Sequence, residues 1–196
     1  MSRLFVAALT AAIVCGTPVV AAPSTDPAKM PAGTYVLEKT HASLVARVRH
    51  MGLSNYTMRF NRFDASYVWD PKAPETAKVT VTIDTTSLDV GDPKTSKNFA
   101  DDYLDARKHP KATFISREIK RDGARGQLIG DLTLRGVTRP VTLEVEFRGY
   151  EAGLLGARSG FSATGVIKRS DFGSTSMSMF AGDDIELIIE VEFLRQ

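Results

Sequence analysis

The chain has 196 residues, 43 % of them hydrophobic and 24 % charged, with 25 basic against 23 acidic side chains and a formal net charge of +2. Such a length suits one domain, and the composition excludes both a disordered chain and one immersed throughout in a membrane. Charges of both signs are spread along the sequence, so the overall balance directs the chain neither to nucleic acid nor to an anionic membrane surface.

Residues 1–22 read as a secretory signal peptide: a positive start at Ser2-Arg3, an apolar run from Leu4 to Cys15, and small residues for cleavage at Val19-Val20-Ala21-Ala22. The run is too short and wrongly flanked for a membrane span. Cys15, the only cysteine, falls in this segment. The exported chain therefore has no disulfide and depends on core packing, which a domain of this size supplies.

Residues 23–32 (PSTDPAKMPA) have the composition of a linker. The alternation expected of strands begins at residues 33–39, with Tyr35 and Leu37 on one face. It resumes after Thr40-His41 over residues 43–50, where Leu44, Ala46 and Val48 oppose Val45, Arg47 and Arg49. A turn at 51–54 leads to 55–70, long for one strand. The apolar phase slips there between Phe60 and Phe63, which predicts a bulge near Asn61-Arg62. Val79, Val81 and Ile83 mark another strand. Residues 94–107 break the pattern: Phe99, Tyr103 and Leu104 recur at helical spacing among charges, predicting one helix across an open end or a seam.

Strands return at 113–115 and 127–134. The clearest hairpin is 130–149, with Leu132 and Leu134 in one arm, Val141, Leu143, Val145 and Phe147 in the other, and Gly136 at the turn. Pro140 belongs at a strand start or a bulge. Segments 160–168 and 184–196 complete the series. Without crossover helices the sheet is antiparallel. The expected fold is all-β: one extended up-and-down barrel of about eight strands with one short helix, occupying residues 33–196.

No reactive cluster stands out. His41, His50 and His109 lack the spacing of a metal site, and no Gly-x-Ser-x-Gly accompanies His41 and Ser43. Asp101, Asp102 and Asp105 lie among Lys97, Arg107 and Lys108, as solvated faces do. Asp171-Phe172-Gly173 has no phosphate loop to give it a kinase-like meaning. Small residues at Ala46, Ala65, Gly130, Ala163 and Gly165 either make room for a slender ligand or serve strand flexure in a filled core.

Taken together, GTYVLEKTHASL from Gly33, HMGLSNYTMRFNRFDA from His50, HPKATFIS from His109, GDLTLRGVTRPVTL from Gly130 and GFSATGVIKRSDFG from Gly160 closely resemble the YceI-like family of bacterial periplasmic proteins. The resemblance implies a lipocalin-like barrel in the periplasm whose channel holds a polyisoprenoid, an isoprenoid quinone or another long-chain amphiphile. It brings no catalytic residue, metal or cofactor, and it leaves homodimer formation open. Two departures are visible: Glu38 where aspartate is frequent, and Lys94-Thr95-Ser96-Lys97-Asn98 where many members have an Arg-Asp-x-His-Leu run.

On this reading the channel wall comprises Tyr35, Phe60, Phe63, Trp69, Val81, Phe114, Leu143, Phe147, Phe161 and Ile189. A head group at the mouth would meet His41, His50, Arg62 and Arg169. Two other readings compete: a plugged barrel acting as an interaction or stress-response protein, and an enzyme working on a lipid head group.

Overall fold

The computed structural model describes residues 22–153 and 156–196; residues 1–21, nearly all of the expected leader, lie outside them. Ten strands follow one another with one α-helix among the described residues. They are β1 (Gly33–His50), β2 (Ser54–Phe60), β3 (Phe63–Trp69), β4 (Lys78–Asp84), β5 (Leu88–Asp89), helix α1 (Pro93–Leu104), β6 (Lys111–Asp122), β7 (Arg125–Leu134), β8 (Val137–Gly153), β9 (Gly156–Lys168) and β10 (Ala181–Arg195).

Eight of these strands run β10-β9-β8-β7-β6-β4-β3-β1, and β1 pairs back onto β10, so the antiparallel sheet closes into a barrel. Closure removes the free edges that an open sheet leaves to aggregate. Its seam joins apolar partners: Leu44 faces Ile189, Ala46 faces Leu187 and Val48 faces Ile185.

The two strands expected at 33–39 and 43–50 are one. Between Leu37 and Ala42 the register of β1 against β10 shifts, and Glu38–His41 bulge outward, so the strand bends without breaking. The strand expected at 55–70 divides at Asn61-Arg62, the place where the phase slips. Strand β2 pairs with the second half of β1 and β3 with the first. Both differences have one cause: a long strand must bend to stay in a closed barrel.

Helix α1 starts where Asp92 accepts the Thr95 N–H at 2.8 Å and Pro93 opens the first turn. It ends at Leu104, with Asp105 in the left-handed region at φ 50°. Ala100 and Leu88, with Phe99 and Leu104 beside them, pack it over the ends of β2 and β5. The β7–β8 turn places Arg135 and Gly136 at φ 54° and 76°, the two left-handed residues that a tight hairpin requires. Pro140 lies near the start of β8, before Leu143, where pairing with β9 begins, so its missing N–H costs the ladder little.

Residues 23–32 are not a free linker. Ser24 and Tyr150 exchange backbone hydrogen bonds of 2.8 Å each, and Met30 is 2 % exposed, with its carbonyl accepting from Trp69 Nε1 at 3.3 Å. The apolar Met30 side chain and the indole N–H supply the order that composition conceals.

Two of the small residues do not open space. A Cβ at Gly130 would lie 2.5 Å from both the Ile115 carbonyl oxygen and Phe114 Cζ, and one at Gly165 would lie 2.6 Å from Leu143 Cδ2. These glycines let neighbouring side chains lie flat against the wall. Gly130→Ala is therefore expected to lower the urea midpoint by the equivalent of about 1–3 kcal/mol, since backbone and ring must both give way. A variant as stable as the parent would contradict this packing.

Candidate functional site

The barrel encloses a cavity of about 540 Å³ lined from all eight strands. Its wall is hydrocarbon because the inward positions are: Ala46 from β1, Phe63 and Ala65 from β3, Val79 and Val81 from β4, Phe114 from β6, Leu143 and Val145 from β8, Ala163 from β9, and Leu187 and Ile189 from β10. The alanines stand opposite or beside bulky residues, with Ala65 facing Val81 and Ala163 facing Val145 and Ile189. That alternation keeps the side chains from meeting at the axis.

The two ends differ. At the end where β1 starts, aromatic rings narrow the bore, and beyond them Trp69, Arg121, Arg125 and Gln127 also line the cavity. Tyr35 stacks on Tyr67 with centroids 4.8 Å apart, while Phe193 and Phe161 meet Tyr67 edge-on at 4.9 and 5.7 Å. Phe147 adds to Phe161 at 5.3 Å. Edge-to-face and offset pairs of this kind contribute beyond their buried area. The buried Tyr67 hydroxyl and Ser159 Oγ are 2.7 Å apart, and Tyr35 donates to the Pro31 carbonyl at 2.9 Å. Burial pushes the Tyr35 phenol up to about 12 and Tyr67 further in the same direction, both by desolvation of the ionised form.

At the other end His50, Tyr56, Phe99 and Tyr103 line the opening with Met177 and Phe180. Tyr56 and Phe99 are 5.4 Å apart, Phe99 and Tyr103 5.0 Å, so α1 contributes an aromatic lip. No ionised pair lines the chamber between the ends, and no group of three or more His, Cys, Asp or Glu side chains converges among the described residues.

Nine of the ten wall residues line the cavity: Phe60, Phe63, Trp69, Val81, Phe114, Leu143, Phe147, Phe161 and Ile189. Tyr35 does not. It is 0 % exposed beneath Tyr67, part of the seal and not of the wall. Of the four mouth residues only His50 faces the opening without a structural task. His41 sits outside, on the β1 bulge, bound by Glu38. Hydrogen bonds from Thr40 and then His41 hold the Glu38 carboxyl down to about 2. Arg62 is also outside, at the β2–β3 break, donating to Asp84 at 2.9 Å. Arg169 reaches the cavity but is buried by its own loop, donating to the carbonyls of Ser174, Ser176, Ala181 and Gly182 at 2.7–3.2 Å. It pins the β9–β10 connection. Lys94–Asn98 occupy the first turns of α1 and do not line the chamber; Phe99, Tyr103 and Leu104 do.

Tyr56, Met177 and Phe180 escape a reading of alternation. Tyr56 belongs to a half-strand whose partner changes, and the other two lie in a loop. An uncharged run from Phe172 to Gly182 was the only trace of that loop's character.

A closed eight-stranded antiparallel barrel around an apolar chamber, narrowed by rings towards one end, defines a lipocalin-like protein. Residues 35–193 match the YceI-like domain, and the chain belongs to that family. It is 42 % identical over 161 residues to the UPF0312 protein ECA1782 of Pectobacterium atrosepticum, covering 81 % of this chain and 84 % of that one. The YCEI protein of Campylobacter jejuni has a similar structure, with TM-score 0.68 and 33 % identity over 76 % of this chain and 90 % of that one. A polyisoprenoid binding domain from Saccharophagus degradans shares the fold at TM-score 0.62 and 13 % identity, over 83 % of this chain and 98 % of that domain.

Two measurements check the seal. Tyr67→Phe, which leaves the Ser159 hydroxyl buried and unpaired, is expected to cost about 1–3 kcal/mol, and combining it with Ser159→Ala should recover part of that loss in a double-mutant cycle. In an alkaline titration followed by near-ultraviolet absorbance, the Tyr35 and Tyr67 phenols should stay protonated as pH passes 10. Because their ionisation is shifted upward on folding, the stability they confer is complete below pH 10 and is lost as pH rises towards 12 and beyond. Ionisation of all five tyrosines together near pH 10, without unfolding, would contradict the buried seal.

Proposed function

We propose that this protein is a periplasmic lipid-binding or carrier protein that holds a polyisoprenoid, an isoprenoid quinone or another long-chain amphiphile in the barrel, tail inward, without catalysing a reaction. The apolar chamber of about 540 Å³ carries the reading. The similarity of fold to the Saccharophagus polyisoprenoid binding domain agrees with it, as does the leader-like sequence of residues 1–22.

Magnitudes support a tail as the ligand. At about 30 Å³ per water-sized group the chamber takes roughly eighteen methylene-sized groups. Burying them is worth roughly 14 kcal/mol in all, at about 0.8 kcal/mol each. Association costs consume about 4–15 kcal/mol of this. A tail must therefore fill most of the chamber to bind well, and a short fragment binds weakly. Nothing polar in the middle of the wall measures tail length, so selection among head groups falls to the polar residues at its ends, His50, Tyr56 and Tyr103 at one and Arg121, Arg125 and Gln127 at the other.

A filled-core interaction protein is disfavoured because the inward side chains leave a chamber of about 540 Å³. An enzyme on a lipid head group is disfavoured because His50 has no acid or base partner among the described residues; its ring neighbour is Tyr56, at 6.5 Å.

The test is uptake of a graded series of fatty or prenyl alcohols by the delipidated protein. Affinity should rise about fourfold per added methylene until the chamber is full and then level off. Ala163→Phe, which projects a ring into the chamber, should abolish uptake while far-ultraviolet circular dichroism stays unchanged. Absence of uptake across the series, together with no hydrophobe extracted from protein purified from its native compartment, would overturn the proposal.

A further inference from the structure

Among the described residues, five of the nine exposed large hydrophobic residues crowd onto two loops at the open end. Leu53, 85 % exposed, and Met51 form the β1–β2 turn; Met179, 88 % exposed, Met177 and Phe180 belong to the β9–β10 loop. The loops abut, since the Met51 N–H donates to the Phe180 carbonyl at 2.7 Å and His50 pairs with Ala181. The other four, Val36, Val68, Ile115 and Val166, are spread over the outer wall, as single surface hydrophobes ordinarily are.

Folding does not explain the cluster. Met51 and Met177 sit in the left-handed region at φ 51° and 58°, where glycine or asparagine is less strained, and both side chains are half-exposed. An apolar side chain gains little in water at such a position. Met177 and Phe180 also line the chamber, so the apolar surface is continuous from the cavity wall to the tips of the loops.

Charge distinguishes what covers it. Residues 39–63, the span that includes the β1–β2 hairpin, contain no Asp or Glu; of its cations Lys39, Arg47 and Arg62 pair with Asp64, Glu186 and Asp84, which leaves Arg49 and Arg59 without a salt bridge among the described residues. Arg49 stands beside the turn, donates to the Gly52 carbonyl at 2.9 Å and has no carboxylate partner among the described residues. The β9–β10 loop is uncharged between Asp171 and Asp183, and Asp183 is occupied by Ser170.

We infer that the open end docks on an anionic lipid bilayer, with Leu53, Met51, Met179 and Phe180 entering the interface and Arg49 meeting lipid phosphate. This rests on the lipid-binding reading and adds to it a route: the chamber opens directly onto the acyl region, so a tail passes between bilayer and barrel without crossing water. A second copy of the chain on the same surface would stopper the mouth.

Flotation of the exported protein with vesicles of phosphatidylethanolamine and phosphatidylglycerol tests the docking. Leu53 and Met179 do not line the chamber. Leu53→Ser with Met179→Ser should lower vesicle partition at least tenfold and leave uptake of a detergent-dispersed prenyl alcohol unchanged. Arg49→Gln should lower partition on these vesicles several-fold and not on phosphatidylcholine alone. Docking is overturned if the wild type stays unbound, if the double variant floats as well as the wild type, or if sedimentation shows the loops buried in a dimer that the substitutions dissociate. Failure of the lipid-binding reading would show instead as absent probe uptake by every variant, whatever the vesicles do.

Discussion

Eight strands that close on themselves fix a radius, and the side chains on the inner face must either span it or leave a space. That constraint governs the rest of the molecule. The β1–β10 seam commits the inward positions of every strand to one chamber, because a shift of one residue would turn the whole apolar set outward. With Ala46, Ala65 and Ala163 at the middle of the wall, branched residues across from them cannot reach the axis. The outcome is a chamber walled by hydrocarbon along its middle.

The packed end is aromatic for a physical reason. Large flat rings span the bore where alanine and valine cannot, and Tyr67, the central one, buries a hydroxyl that finds Ser159 across the barrel. The N-terminal segment adds a second layer through Met30 and Trp69. The other end is held differently. Arg169 gathers two carbonyls of the β9–β10 loop and two from the start of β10, and α1 leans over β2 and β5, which leaves the loops beside the opening free to carry exposed side chains.

This division locates polarity as well. Charged residues occupy the outside of the wall, where Lys168 meets Asp184 and Arg47 meets Glu186; such exposed pairs contribute little to stability. Inside, polar tips appear only near the ends. A ligand with a polar head and a long tail matches that distribution, and a compact polar metabolite does not. Membership of the YceI-like family and the shared barrel of relatives show that the architecture is general.

Alternation along the chain was sufficient for the antiparallel barrel, the helix, the turn at Gly136 and the break at Asn61-Arg62, because each follows from local periodicity or backbone preference. It also placed nine wall residues on the inward face, since the side of a strand is decided every second residue. What it could not show was distance across the bore. Tyr35 alternates like a wall residue and is a seal, Gly130 and Gly165 resemble gaps and are filled by Phe114 and Leu143, and His41 and Arg62 share strands with the mouth but project outside at a bulge and a break. Those outcomes depend on which residues face one another after closure, an arrangement among strands far apart in sequence that only the tertiary structure decides.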